Sequence, residues 1–171
     1  MNYLGDWGKQ FGLVAIGWKR FGSEEAFTAN PLSHLLDVYV KANALFKQEK
    51  DAVDAARARK EDTSFLESQG IFAGRNDFFG RLEVREPEAL ALWKRFRDVS
   101  IQRYIEVYAR LNISFDDYSG ESQISPETIE KVQTILTEKG VLQLDNGALI
   151  IDFKKYGAKH LDIAVVRNRQ G

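Results

Sequence analysis

Between Glu86 and Leu111 the apolar residues Leu92, Trp93, Phe96, Val99, Tyr104, Val107, Tyr108 and Leu111 return at helical spacing. That period puts them on one stripe of a long α-helix, and Pro87 suits its first turn, where a proline's missing amide leaves no hydrogen bond unmade. A helix with one such stripe must be covered by other elements. The chain is therefore expected to be helix-rich around a buried core, and its remaining pattern is consistent with that.

Other helix signals flank this one. Gly5, Gly8 and Gly12 mark a turn, after which an apolar helix runs over residues 13–21 and stops at Gly22. Asn30 and Pro31 form an N-cap and first-turn pair, followed by Leu32, Leu35, Leu36, Tyr39, Ala42 and Phe46 at helical spacing. The continuation over residues 47–62 mixes charges of both signs with alanines, which suits a solvated, thinly packed helix. Residues 63–77, with Ser, Gly, Asn and scattered Phe, read as a loop or a poorly ordered insertion. Ser125 and Pro126 open another helix, whose Ile129, Val132, Ile135 and Leu136 are expected to face inward until Gly140 ends it.

Strand signals are fewer. Residues 141–144 and 148–153 flank Asp145, Asn146 and Gly147, which tolerate positive φ and join two strands into a hairpin. A third apolar run, residues 163–166, is expected to pair with that hairpin, and residues 113–115 read as a separate strand. The polar tail over residues 167–171 has no partner strand behind it in the sequence, so the sheet looks cut. Open strand edges lead to an expectation of marginal stability or self-association.

The 171 residues suffice for one globular domain rather than two. Lys and Arg number 24 against 25 Asp and Glu, so the net charge of −1 draws the chain to neither phosphate nor anionic lipid in bulk. The absence of cysteine excludes a disulfide framework, a thiolate metal site and a cysteine nucleophile. Residues 1–12 lack the basic start and apolar core of a signal peptide, and no stretch approaches the ~18 apolar residues of a membrane span, so the chain reads as soluble and cytoplasmic.

Candidate chemistry is local. The spacing of Gly5, Gly8 and Gly12 fits neither dinucleotide nor phosphate-loop patterns, which favours a structural turn over an anion cradle. His34 and His160 are far apart and lack ligand spacing, so no metal site is expected. Lys94, Arg95, Arg97 and Arg103 form a basic sector that reads as a solvated face, with a local RNA-backbone contact as the sharper alternative. Asp116, Asp117 and Glu121 gather in a loop with Tyr118, Ser119, Gly120 and Ser122. Carboxylates after a strand can line a substrate crevice and pair bidentately with a guanidinium. Equally, they could cap the helix that begins at Pro126.

The strings themselves carry more. NYLGDWGKQFG (residues 2–12) resembles the segment that follows the His-Ile-Gly-His-type signature in arginyl-tRNA synthetases of the eukaryotic cytosolic or fungal kind. EALALWKRFRDVSIQRYIEVYARLNISFDDYSGES (residues 88–122) resembles that family's long helix and substrate-pocket loop, in the same order. DNGALIIDFKKYG (residues 145–157) resembles the small strand pair before its second catalytic half. The resemblance is weakest over residues 48–74.

The resemblance implies an α/β fold: a helix-rich part of a Rossmann-type class I synthetase catalytic domain with a small antiparallel β-sheet. Residues 1–30 would be a nucleotide-fold helix segment, 31–112 a helical region, and 113–171 the pocket loop, a helix and the small sheet. It further implies ligation of arginine to tRNA(Arg), with ATP and Mg2+ used in activation and the tRNA usually required for it. Glu121 would help bind substrate arginine, and Tyr118 and Ser119 would shape its pocket. Asp6, Trp7 and Gln10 would position groups near the active-site floor. The His-Ile-Gly-His-type motif and the Lys-Met-Ser-Lys-Ser-type loop, both contacts of ATP phosphates, do not occur in the 171 residues. The expectation is that this chain alone binds no ATP tightly, contributes no catalytic residue, and is inactive without the remaining synthetase segments. The competing reading is a non-catalytic truncated paralogue that binds protein or RNA.

Overall fold

The computed structural model describes residues 1–158 and 160–168. The chain divides into two compact units, Met1–Ser122 and Gln123–Gly171.

The first unit opens on a strand, β1 (Asn2–Leu4), and then α1 (Lys9–Phe21), α2 (Glu24–Ala29), α3 (Pro31–Ala58), α4 (Ser64–Glu67), α5 (Gly70–Glu83) and α6 (Pro87–Arg110) follow before a second strand, β2 (Tyr118–Gly120). A 3-10 turn begins at Glu121. Side-chain caps start three of the helices. Ser23 Oγ accepts from Ala26 N, Asn30 Oδ1 from Ser33 N, and a Glu86 carboxylate oxygen from Ala89 N.

Helix α1 is the centre of this unit. One side packs Ala15 with Phe78, Leu82 and Ala89 from α5 and α6. Another joins Leu13 to Ala42 and Ile71, and a third group unites Phe27, Leu35 and Phe96 around Trp18. Val38, Val53, Ile71 and Leu82 are fully buried, each worth roughly 1.5–3 kcal/mol of apolar transfer. Gly12 permits the close approach of α1 and α5: a Cβ there would lie 2.2 Å from the carbonyl oxygen of Arg75. The glycine turn is thus used for helix entry and helix packing.

Three expectations for this unit require correction. Residues 63–77 are not a loop, because α4 and most of α5 occupy them and Ile71 is fully buried. The reason is remote: Glu49 of α3 accepts from the amides of Ile71 (3.1 Å) and Phe72 (2.7 Å), capping α5 from another helix. The stretch over residues 47–58 is also better packed than its charges suggest, with Val53 and Ala56 buried. Finally, residues 113–115 are not a strand. The strand is Tyr118–Gly120, and it pairs in parallel with β1.

The second unit holds α7 (Pro126–Glu138) and an antiparallel sheet in the order β3 (Gln143–Asp145), β4 (Ala148–Asp152) and β5 (Ile163–Arg167). Ser125 caps α7 through Thr128 N. Asn146 (φ 47°) and Gly147 (φ 86°) supply the two left-handed positions of a tight hairpin turn. The expected hairpin and third strand are both present. Arg167, expected in an unpaired tail, pairs with Leu149, and residues 169–171 lie outside the described residues. Ile129, Val132 and Ile135 do not face inward; they are 49, 48 and 39% exposed.

Candidate functional site

Strands β1 and β2 align Asn2 with Tyr118, Tyr3 with Ser119 and Leu4 with Gly120. The Asn2 amide adds a bond to the Asp117 carbonyl at 2.8 Å. Three residues per strand make a marginal ladder on their own. What fixes this one lies just beyond β1, at Asp6.

Asp6 is 4% exposed. Its carboxylate accepts from Arg97 Nε at 2.5 Å, from Ser122 Oγ at 2.8 Å and from Ser122 N at 3.0 Å. Its backbone carbonyl accepts from Trp93 Nε1 at 2.7 Å. Trp93 and Arg97 sit four residues apart on α6, so one face of that helix reaches both the carbonyl and the carboxylate. Arg97 Nη2 also donates to the Tyr118 carbonyl, and Arg85 Nη2 to that of Ser122, each at 3.3 Å. The loop Tyr118-Ser119-Gly120-Glu121-Ser122 is therefore tied at three backbone groups to charged side chains. Gly120 is required at its place, since a Cβ there would stand 2.4 Å from Asp6 Oδ1.

Burial pushes the Asp6 carboxyl upward in pKa. The hydrogen bonds from Arg97 and Ser122, together with the guanidinium charge, outweigh that and hold it below its ordinary value. These donors favour the anionic form of Asp6, which they surround.

The expected site residues divide into three groups. Asp6 is the hub described above, and Trp7 packs edge-on against Trp93 with ring centroids 5.3 Å apart. Tyr118 and Ser119 are half-buried in β2, with the Tyr118 ring edge-on to Phe115 at 5.8 Å. Glu121 is exposed at the start of the 3-10 turn, and among the described residues its carboxylate has no hydrogen-bond or ion-pair partner. Gln10 is exposed in the first turn of α1 and takes no part in the Asp6 network.

Asp116 and Asp117 do not cap α7, since Ser125 does so. His34 Nε2 accepts from Ser23 N at 2.8 Å, a packing role. A cavity of about 90 Å³ lies between Leu4, Gly5 and Asp6 on one side and Arg97, Ile101 and Tyr104 on the other. Among the described residues no group of three His, Cys, Asp or Glu gathers as a metal would need.

Sequence reasoning places Ser122 in the loop but misses Arg97, Arg85 and Trp93 as parts of the site. Arg97 was grouped with a solvated basic sector, and three members of that sector do form exposed ion pairs: Lys94 with Asp98, Arg95 with Glu24, and Arg103 with Glu106. The Arg97 side chain is only 14% exposed and pairs with a residue 91 positions away. The one local signal was its spacing from Trp93 on the apolar stripe.

The chain is helix-rich, with an exposed carboxylate at Glu121 on the loop that leaves β2. The family of tRNA synthetases class I (R), catalytic domain, matches residues 1–171. The chain belongs to that family. It is 44% identical over its whole length to the cytoplasmic arginine–tRNA ligase of Saccharomyces cerevisiae, covering 26% of that protein. It is 43% identical to a probable cytoplasmic arginine–tRNA ligase of Schizosaccharomyces pombe, again over the whole chain and 28% of the relative. An arginine–tRNA ligase of Streptococcus thermophilus is 39% identical over 94% of the chain and 25% of its own length. The chain thus spans about a quarter of the length of the curated relatives it matches.

Proposed function

We propose that this chain serves arginine–tRNA ligation as the part of a catalytic domain that presents Glu121 to the guanidinium of substrate arginine. The observation that carries this reading is the state of Glu121. Its carboxylate is exposed and without a partner among the described residues, while Ser122 on one side is hydrogen-bonded to Asp6 and Gly120 on the other lies so close to that carboxylate that a Cβ would clash with it. A free acceptor on a fixed backbone suits bidentate recognition of a planar cation. Tyr118 and Ser119, anchored in β2, would shape the wall beside it. Asp6, and through Trp93 also Trp7, would hold the floor.

Gly8 and Gly12 serve the entry and packing of α1. ATP, Mg2+ and tRNA(Arg) are the further reactants that this reading requires. Two of the relatives are named as cytoplasmic, which supports a proposed cytoplasmic location.

Arginine-dependent ATP–pyrophosphate exchange, with and without tRNA, tests the proposal. The 171-residue chain alone should be silent. A chimera in which it replaces the matching quarter of the Saccharomyces cerevisiae enzyme should be active and should lose arginine affinity when Glu121 is changed to Gln. Exchange by the chain alone, or a Glu121→Gln chimera with unchanged arginine KM, would overturn the reading.

A further inference from the structure

Resting on the reading of Glu121 above, we propose that Arg97 is a positioning residue for substrate arginine, acting through the backbone on which Glu121 is carried. The position of a carboxylate is set by its Cα before any rotamer is chosen. Around Glu121 that Cα is defined by two attachments: Ser122, clasped through its amide and hydroxyl by Asp6, and β2, whose first residue is Tyr118.

Arg97 joins the two. Its Nε donates to Asp6 Oδ2 and its Nη2 to the Tyr118 carbonyl, so one planar guanidinium spans the group that holds Ser122 and the strand that leads into Gly120. Lysine offers a point charge on a flexible stem and cannot hold both acceptors in that fixed relation. Arg97 is mostly buried, unlike Lys94, Arg95 and Arg103, whose ion pairs are exposed. A role in contacting an RNA backbone therefore does not fit it. No described contact links Arg97 to the Glu121 carboxylate itself, which is why its effect must pass through the backbone.

The test uses the chimera defined above, with KM for arginine, KM for ATP and kcat measured by pyrophosphate exchange, and thermal melting followed beside them. Arg97→Gln should raise KM for arginine by about 10- to 100-fold, the scale on which a displacement of about 1 Å acts, with KM for ATP little changed. Arg97→Lys keeps the charge opposite Asp6 and should melt close to the parent, yet retain most of the rise in arginine KM. Changes confined to melting, or equal rises in both KM values, would make Arg97 merely structural and overturn the proposal. Full recovery of arginine KM in Arg97→Lys would overturn the forked contact. Should Glu121→Gln leave arginine KM unchanged, or the unsubstituted chimera show no exchange, the reading of Glu121 fails first and this inference falls with it.

Discussion

Replacing Asp6 with alanine removes three hydrogen bonds to a carboxylate and leaves the Arg97 guanidinium buried beside the vacated site. Hydrogen bonds to a charged group are worth about 1.5–3 kcal/mol each when lost singly, but bonds that share one carboxylate are not additive. Breaking a buried ion pair from one side costs about 3–5 kcal/mol, because the remaining charge is uncompensated. Side-chain exposures of 5% for Asp6 and 14% for Arg97 place the pair in that range. The expected destabilisation for Asp6→Ala is thus about 3–5 kcal/mol, a large part of a domain stability of roughly 5–15 kcal/mol. Urea unfolding followed by tryptophan fluorescence would measure it, since Trp7, Trp18 and Trp93 all lie within Met1–Ser122. In a double-mutant cycle, Asp6→Ala combined with Arg97→Met should cost less than the sum of the two by about 1–3 kcal/mol. A loss for Asp6→Ala below about 1 kcal/mol, the range of exposed ion pairs, would refute the claim that this buried network holds the loop.

The depressed pKa of Asp6 predicts an acid-sensitive contribution to stability. Unfolded, the group takes up a proton near its ordinary aspartate value; folded, it does so only at lower pH. Its stabilisation is therefore complete above about pH 4 to 5 and declines as pH falls through the depressed value. Asp6→Asn should flatten that part of a stability–pH profile taken from urea midpoints. Gly120→Ala drives a Cβ to 2.4 Å from Asp6 Oδ1 and should cost about 1–3 kcal/mol, on the scale of overpacking, with the loss greatly reduced when Asp6 is already Ala. Glu49→Ala removes the remote cap of α5 and should cost about 0.5–2 kcal/mol, with faster hydrogen exchange concentrated at the amides of Ile71 and Phe72.

Elements specified by neighbours in sequence were legible in advance. Asn30 with Pro31, Ser125 with Pro126, and Asn146 with Gly147 each carry their own capping or turn chemistry, and α3, α7 and the β3–β4 hairpin begin or turn where these residues place them. Elements specified at a distance were not. Helix α5 depends on a carboxylate 22 residues upstream. Strand β1 is three residues long, too short to show alternation, and pairs with a partner more than a hundred positions away. Ile129, Val132 and Ile135 show the reverse failure: their period predicted a helix correctly, but period alone does not say what covers the stripe. For the site, the resemblance drew attention to Asp6 and Glu121, while Arg97 stayed hidden because its charge matched three exposed neighbours on the same helix.

The way the loop is held follows from how little packing is available to it. A two-stranded parallel pair of three residues each has few cross-strand contacts, and parallel pairing is slightly weaker per residue than antiparallel. Apolar packing alone would fix the orientation of such a pair weakly, since the hydrophobic effect is non-directional. Directional bonds to a buried carboxylate fix it more firmly, because a donor misplaced in that setting is left unsatisfied and costs its desolvation. Asp6 receives donors from α6 and from the loop, Arg97 adds the Tyr118 carbonyl, and Gly120 leaves the space these bonds need. A slip of one residue in the register of β2 would carry Ser122 away from Asp6 and bring a side chain bearing Cβ toward the place that only Gly120 fits. Both ends of the loop would then lose partners together, so the backbone beneath Glu121 has one favourable arrangement. The charges in this network therefore act chiefly on geometry, which is the property that the role proposed for Glu121 would require.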